Sequence, residues 1–162
     1  MTTAAGVTML ILDVDGVLTD GRLWYGPDGE SHKSFHVRDG HGIKALLEAG
    51  IGVAVISGRR SAAVAARMRE LGVADVVQGV GDKSLAIAEL LARRAVDAQH
   101  VACLVDDTPD LGLMAAVGLP AAVADAHPRV LAAARHVTRA AGGQGAVREF
   151  CDFLLAAREL SR

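Results

Sequence analysis

The chain has 162 residues and a formal net charge of −2 at neutral pH, so we expect residues 1–162 to form a single domain. Hydrophobic residues make up 51% and charged residues 22%, which excludes a disordered chain, and the absence of a basic block argues against a nucleic-acid partner. No apolar run approaches the roughly 20 residues that cross a membrane, and we see no signal peptide. We therefore expect a cytoplasmic protein without a membrane partner.

Short apolar runs alternate along the chain with segments of helical periodicity. The predicted strands are residues 7–12, 52–56, 76–78, 101–105, 121–123 and 136–137. The predicted helices are residues 42–49, 61–71, 83–94, 109–117, 128–135 and 146–158. Strands that are apolar at every position are typical of a parallel sheet covered on both faces. The alternation thus predicts an α/β fold with a doubly wound parallel sheet.

The segment after the first strand departs from this pattern. Residues 22–37 contain "RLWY", the turn-forming "GPDGE" and "SHKSFHV", which predicts a β-hairpin insertion. Trp24, Tyr25 and Phe35 would be exposed on such a projection, and an isolated two-stranded hairpin is barely stable in water. Either another subunit or packing within the chain has to cover them.

Two cysteines, Cys103 and Cys151, have no metal-binding spacing and no thiol-activating motif. We expect both to be small buried hydrophobic residues in a reducing compartment.

Polar residues gather where the predicted strands end. They are Asp13 and Asp15; Ser57, Gly58 and Arg59; Lys83; and Asp106, Asp107 and Asp110. Because ligands of an open α/β sheet bind beyond the carboxyl ends of the strands, we expect these groups to meet at one edge.

Clustered carboxylates repel one another unless a cation joins them, and hard oxygen ligands suit Mg²⁺. A hydroxyl, backbone N–H groups and a lysine suit a phosphoryl group. Together they predict phosphoryl transfer, in which one aspartate attacks phosphorus and a second, two residues on, protonates the leaving oxygen and then activates water. Lys83 and Mg²⁺ would stabilise the charge on the attacking carboxylate and the transferring oxygens.

Each motif also has a simpler explanation when taken alone. "DVD" could form a turn, "SGRRS" a helix cap, Lys83 a surface lysine, and "DDTPD" an acidic first helical turn; all four would then share one edge by accident. A phospho-acceptor signalling domain is disfavoured because the second acid pair follows the lysine here. A dinucleotide-binding domain is disfavoured because no glycine-rich fingerprint follows the first strand.

The motifs "DVDGVLTDG", "ISGR", the lysine of "GDKS" and "DDTPD" resemble, in order, those of the haloacid dehalogenase superfamily of phosphotransferases. The segments "FHVRDGHGIK", "VVQGVGDK" and "GGQGAVREFCDFLL" extend the resemblance over residues 10–155 to the 3-deoxy-D-manno-octulosonate 8-phosphate phosphatase family. The resemblance implies a haloacid-dehalogenase-like domain without a cap domain. It also implies a Mg²⁺-dependent phosphatase that releases a free sugar acid in lipopolysaccharide precursor synthesis.

The resemblance also implies a role for each matching position. Asp13 would be the nucleophile and a Mg²⁺ ligand, and Asp15 the general acid/base whose backbone carbonyl binds the metal. Asp106 would be the third ligand, and Asp107 would orient Lys83 or a metal-bound water. Ser57 and Gly58 would grip the phosphoryl group. The implied substrate contacts are Asp15, His36, Val37, Arg38, Asp39, Gly40, Lys44, Gly58, Arg59, Arg67 and Lys83.

The resemblance also implies a quaternary structure, and the sequence departs from the family's pattern at two positions. Family members are tetramers whose hairpins assemble at the centre and whose neighbouring subunits close each active site, which implies a homotetramer. Val105 stands where a glycine is usual, which could shift Asp106 or weaken Mg²⁺ binding. Lys44 stands where an arginine is common, which leaves the identity of the sugar substrate open.

The alternatives to a phosphatase for the eight-carbon sugar acid are a phosphatase for a nine-carbon sialic-acid-type 9-phosphate and a non-catalytic scaffold of the same fold.

Overall fold

The computed structural model describes residues 4–161, in which a parallel sheet carries helices on both faces. The strands are β1 (Met9–Leu12), β2 (Trp24–Gly26), β3 (Gly29–His32), β4 (Gly52–Ser57), β5 (Asp75–Gln78), β6 (Val101–Val105), β7 (Leu119–Ala122) and β8 (His136–Val137). The helices are α1 (Val37–Glu48), α2 (Ala62–Leu71), α3 (Lys83–Arg94), α4 (Leu111–Ala116), α5 (Pro128–Ala133) and α6 (Ala146–Glu159).

Six strands form the main sheet in the order β5-β4-β1-β6-β7-β8, and every pair is parallel. Strand β1 is central, with Leu12 opposite Val55 of β4 and Leu104 of β6. Helix α1 packs with α2 and α6, whereas α4 packs with α3 and α5. The predicted doubly wound α/β fold is confirmed. Because the chain leaves β1 towards both edges, the carboxyl end of β1 is the topological switch point where ligands bind.

Two predicted helices differ from the observed elements by more than a shift of one or two residues at an end. Helix α1 begins at Val37, five residues before the prediction, because the His36 ring caps it by accepting a hydrogen bond from the backbone N–H of Arg38 at 3.2 Å. "VRDG" is therefore the first turn of a helix. The helix predicted at residues 109–117 is a short 3₁₀ turn, Thr108–Asp110, followed by α4.

The core is built mainly from aliphatic side chains of the central strands, closed by Phe150 of α6. Cys103 and Cys151 are unpaired and buried in it, as predicted. Burial raises the pKa of the Cys103 thiol to about 12, so this thiol is chemically inert at neutral pH. None of the described helices combines the length and the apolar character needed to cross a membrane.

The hairpin is present, and its two antiparallel strands are β2 and β3. The Trp24 ring stacks on His32 with the ring centroids 5.2 Å apart, yet Trp24 and Tyr25 remain 50% and 63% exposed. Phe35 is partly buried and packs against the core, so packing within the chain covers this one of the three aromatic side chains. The exposed apolar surface of residues 22–37 is therefore formed by Leu23, Trp24, Tyr25 and Val37.

Val105, the departure from the family's pattern, is the last residue of β6 and is fully buried. Ala95 is the one non-glycine residue with a positive φ among the described residues, so Val105 introduces no backbone strain. Its side chain adds to the core, and the expected disturbance of Asp106 by backbone strain does not arise.

Candidate active site

The loop that follows β1 is a tight turn, Val14–Leu18, folded around one buried hydroxyl. The Thr19 hydroxyl donates to the Val14 carbonyl at 3.4 Å and accepts hydrogen bonds from the N–H groups of Gly16 at 3.3 Å and Gly21 at 3.2 Å. Gly16 has a φ of +88°, a conformation that favours glycine. We call residues 13–21 the catalytic loop.

The carboxyl ends of β1, β4 and β6 and the start of α3 surround a pocket of about 210 Å³. Its lining residues are Asp13, Asp15, Ser57, Gly58, Lys83, Asp106, Asp107, Pro109 and Asp110. The predicted meeting of four sequence motifs at one edge of the sheet is confirmed. The volume suits a phosphoryl group together with a metal ion.

Lys83 lies at the centre of this pocket and is 92% buried, with 8% of its surface exposed. Its ammonium donates to Oδ1 of Asp13 at 2.7 Å and to Oδ1 of Asp110 at 2.6 Å. Burial alone would lower the pKa of Lys83, but the two carboxylates outweigh burial and raise it. Lys83 therefore stays charged and links the catalytic loop to the turn before α4.

Asp110, rather than Asp107, is the partner of Lys83 on that turn, which corrects the prediction that Asp107 orients the lysine. Asp107 instead caps the turn by accepting a hydrogen bond from the N–H of Thr108 at 2.7 Å. The sequence indicated Asp110 as the acid one turn beyond the pair, and this spacing could have identified it. A role for Asp107 towards a metal-bound water stays a prediction.

The pocket has the charge and the donor atoms that a divalent cation requires. Asp13, Asp106 and Asp110 each offer a carboxylate oxygen, and these oxygens lie within 4.8 Å of one another. Burial, followed by repulsion from Asp13 and Asp110, raises the pKa of Asp106 to about 8. Burial and Asp13 raise that of Asp110 to about 6. One lysine does not balance three carboxylates, and an all-oxygen donor set fits Mg²⁺.

A glycine-rich loop at residues 140–146 supports the catalytic loop from behind. A Cβ atom on Gly16 would lie 2.0 Å from Oδ2 of Asp106, and a Cβ atom on Gly142 would lie 1.7 Å from the Gly16 carbonyl oxygen. The N–H of Gly143 donates to the Val17 carbonyl at 2.9 Å. The glycines of "GGQG" therefore have a physical reason, because the backbone of this loop, the backbone of the catalytic loop and the Asp106 carboxylate pack together without space for side chains.

The hairpin lies at the mouth of the pocket and contacts Arg59. The Arg59 guanidinium donates to the Tyr25 hydroxyl at 3.0 Å and to Oε2 of Glu30 at 3.3 Å. Its Nε atom is 3.8 Å from Oδ2 of Asp15. The N–H of Arg59 also donates to the hydroxyl of Ser57 at 3.3 Å. Arg59 is thus placed beside the pocket, and its contact with substrate stays a prediction.

Lys33 of the hairpin was missed by the sequence reasoning. Its ammonium donates to Oδ1 of Asp15 at 2.5 Å and lies 3.1 Å from Oε2 of Glu30. Burial would raise the pKa of Glu30, but the hydrogen bonds from Lys33, Ser61 and Arg59 and the charge of Lys33 together outweigh burial and lower it. Nothing in the sequence pattern indicates which way the hairpin folds, so no signal could have paired Lys33 with Asp15.

Several predicted substrate contacts do not line this pocket. They are His36, Val37, Arg38, Lys44 and Arg67. His36 caps α1, Lys44 is exposed on α1, and Arg67 pairs with Glu70 at 2.9 Å. None of the five is among the lining residues of the pocket, and their contact with substrate stays a prediction.

Asp39 and Gly40 require a correction, because both are buried. The Oδ1 atom of Asp39 accepts a hydrogen bond from the N–H of Arg148 in the first turn of α6 at 2.9 Å. A Cβ atom on Gly40 would lie 2.3 Å from the Arg67 guanidinium. Both residues serve the packing of α1 against α6 and α2, and neither is accessible to a substrate.

Comparison with known proteins agrees with this geometry. The family of haloacid dehalogenase-like hydrolases matches residues 68–150. A 3-deoxy-D-manno-octulosonate 8-phosphate phosphatase (KdsC) from Yersinia pestis is 48% identical over 156 residues, which cover 96% of this chain and 83% of that protein. The chain belongs to the 3-deoxy-D-manno-octulosonate 8-phosphate phosphatase family.

Solved structures of the phosphatase family have the same fold. The crystal structure of the Yersinia pestis phosphatase has a TM-score of 0.94 at 48% identity and covers 96% of this chain and 84% of that one. The Moraxella catarrhalis phosphatase, solved with a magnesium ion, a phosphate ion and a KDO molecule, has a TM-score of 0.93 at 37% identity, with coverages of 96% and 90%. Residues 4–161 contain no cap domain above the pocket.

Proposed function

We propose that this chain is a Mg²⁺-dependent phosphoric monoester hydrolase that converts 3-deoxy-D-manno-octulosonate 8-phosphate to the free sugar acid and phosphate. The observation that carries the proposal is the joint placement of Asp13, Lys83, Asp106 and Asp110 in one pocket of a family member. We further propose that residues 1–162 act as one domain and that the reaction supplies lipopolysaccharide precursor synthesis in the cytoplasm.

In the first half of the reaction, a carboxylate oxygen of Asp13 forms a bond to phosphorus as the bond from phosphorus to the sugar oxygen breaks. Asp15 gives its proton to that oxygen. In the second half, water attacks phosphorus and passes a proton to Asp15, and the bond to Asp13 breaks to release phosphate. Because Lys83 occupies Oδ1 of Asp13, Oδ2 is the oxygen left for attack.

The remaining pocket residues bind and neutralise the phosphoryl group. The Ser57 hydroxyl, the Gly58 N–H and the Lys83 ammonium would hold its oxygens. Asp13, Asp106 and the Asp15 backbone carbonyl would hold Mg²⁺, which supplies positive charge beside the transferring oxygens. Arg59 at the mouth would receive the carboxylate of the sugar acid.

We also propose that the chain is a homotetramer assembled through its hairpins. Leu23, Trp24, Tyr25 and Val37 are between 43% and 76% exposed, and such an apolar surface is typical of an interface. A neighbouring copy would bring its own residues to each open pocket. Light scattering at micromolar concentration should give a tetramer, and a monomer would contradict this proposal.

The activity is tested by phosphate release from a panel of sugar phosphates, with and without Mg²⁺, for the wild type and for Asp13→Asn. We expect release from the eight-carbon acid-sugar phosphate only with Mg²⁺, and a loss of at least ~1,000-fold in the variant, since it lacks the nucleophile. Asp152→Asn, an exposed aspartate on α6, is the matched control and should keep full activity. Preference for a nine-carbon 9-phosphate would reassign the sugar, and no release from either substrate would contradict the proposal.

A further inference from the structure

The ammonium of Lys33 is almost completely buried although it lies on a hairpin whose tip is exposed. Its side chain is 2% exposed, against 12% for Glu30 and 22% for Asp15, its two partners. A buried ammonium is costly unless it is paired and hydrogen-bonded. Both partners are carboxylates, and one of them is on the catalytic loop.

The contact with Asp15 is selective for one oxygen. Lys33 donates to Oδ1 at 2.5 Å, and among residues 4–161 this is the one hydrogen bond that the Asp15 carboxylate accepts. Oδ2 has the Arg59 Nε atom as a neighbour at 3.8 Å, which is too long for a hydrogen bond. The two oxygens of Asp15 therefore have different surroundings.

The lysine is itself held in place. Glu30 lies 3.1 Å from its ammonium and accepts a hydrogen bond from Arg59 at 3.3 Å. The hairpin thus contributes a fixed ammonium group to Oδ1 of Asp15, while Arg59 holds Glu30 at the mouth of the pocket by a hydrogen bond. A lysine that only stabilised the hairpin would not need to reach the catalytic loop.

We propose that Lys33 is a positioning residue for proton transfer. By holding Oδ1 of Asp15, it sets the rotamer of the carboxyl group and leaves Oδ2 as the atom that gives its proton to the leaving oxygen. Lys33 acts through Asp15 and does not touch the substrate. This assignment rests on the proposed phosphatase activity, but it concerns any phosphate monoester that the pocket accepts.

The test compares leaving groups, because proton donation matters most when the leaving oxygen is strongly basic. We would measure kcat/KM, which covers the steps up to leaving-group departure, for phenyl phosphate and p-nitrophenyl phosphate with the wild type and Lys33→Met. We expect the variant to lose ~10- to 100-fold on phenyl phosphate and less than ~3-fold on p-nitrophenyl phosphate. Lys33→Arg, which keeps the charge, should recover most of the loss.

Controls separate this role from hairpin stability and from the choice of sugar. Ser31→Ala removes a hairpin hydrogen bond, from its hydroxyl to the Trp24 carbonyl at 3.0 Å, and should leave the ratio of the two rates unchanged. Lys33→Ala, which also removes the hydrogen-bond donor, should give the same selective loss if the methionine variant does not fold. An equal loss on both substrates, or no loss on phenyl phosphate, would overturn the proposal. Inactivity towards the acid sugar with normal aryl phosphate turnover would contradict only the proposed substrate.

Discussion

Gly142→Ala tests whether the glycine-rich loop sets the geometry of the metal site. Gly142 does not have a positive φ, so alanine adds a methyl group without backbone strain. That methyl carbon would lie 1.7 Å from the carbonyl oxygen and 2.5 Å from the carbonyl carbon of Gly16. Both are backbone atoms of the catalytic loop, which cannot rotate aside as a flexible side chain would.

The required displacement follows from these distances. Real Cβ contacts are not shorter than 3.0 Å, so the methyl carbon and the Gly16 oxygen must separate from 1.7 Å by about 1.3 Å. Gly16 also lies against the Asp106 carboxylate, since a Cβ atom on Gly16 would lie 2.0 Å from Oδ2 of Asp106. A shift of about 1 Å at a catalytic site can cost on the order of 100-fold in rate, and overpacking costs about 1–3 kcal/mol of stability.

The assay measures kcat/KM with p-nitrophenyl phosphate, the Mg²⁺ concentration for half-maximal activity, and the free energy of unfolding. We expect Gly142→Ala to lose ~100-fold in kcat/KM and to require more Mg²⁺, because Asp106 moves with Gly16. Gly145→Ala is the matched control, since Gly145 has a φ of +97° and no atom within 4 Å of a Cβ position. It should lose about 1 kcal/mol of stability from backbone strain but keep its activity.

Comparison of the two variants tests whether Gly142 supports the metal site or only the stability of the fold. If Gly142→Ala kept wild-type kcat/KM and Mg²⁺ dependence while losing stability as Gly145→Ala does, the contact with Gly16 would matter only for folding. The proposed support of the metal site by the glycine-rich loop would then be refuted.

Two further predictions concern pH. Burial raises the pKa of Asp39, so the folded state holds this proton more tightly than the unfolded state, and stability falls as pH rises above about 4. The free energy of unfolding of Asp39→Asn, measured by chemical denaturation at a series of pH values, should therefore fall less with pH than that of the wild type. Parallel pH dependences of the two proteins would contradict this. Asp106, with a pKa raised to about 8, should release a proton when Mg²⁺ binds, so Mg²⁺ affinity in titration calorimetry should rise with pH up to about 8 and chelation should abolish turnover. Constant affinity from about pH 6 to pH 8 would contradict it.

Most of the sheet could be predicted because its signals are local. The runs of residues 7–12 and 101–105 are apolar at every position, which parallel strands buried on both faces require. The helix boundaries were predicted less accurately. Helix α1 begins five residues early because His36 caps it, and a histidine ring is not among the usual capping side chains.

The pocket could be predicted for the same reason that the sheet could. Asp13, Ser57 and Asp106 each follow the end of a strand, and parallel strands bring their carboxyl ends to one edge. The role of Asp39 could not be predicted in this way, because its partner Arg148 is 109 residues distant along the chain. Its place in "VRDG" indicated substrate contact, whereas the packing of α1 on α6 buries it.

The sequence by itself determined the order of the strands and helices, the edge of the sheet that carries the chemistry, and the acids and lysine that meet there, because these depend on periodicity and on where strands end. The tertiary structure decided that Lys33 reaches Asp15, that Asp110 rather than Asp107 binds Lys83, and that Gly142 backs the catalytic loop. Such contacts join segments without any common period. They are set by the direction in which a hairpin or loop packs, and that direction is a property of the whole folded core.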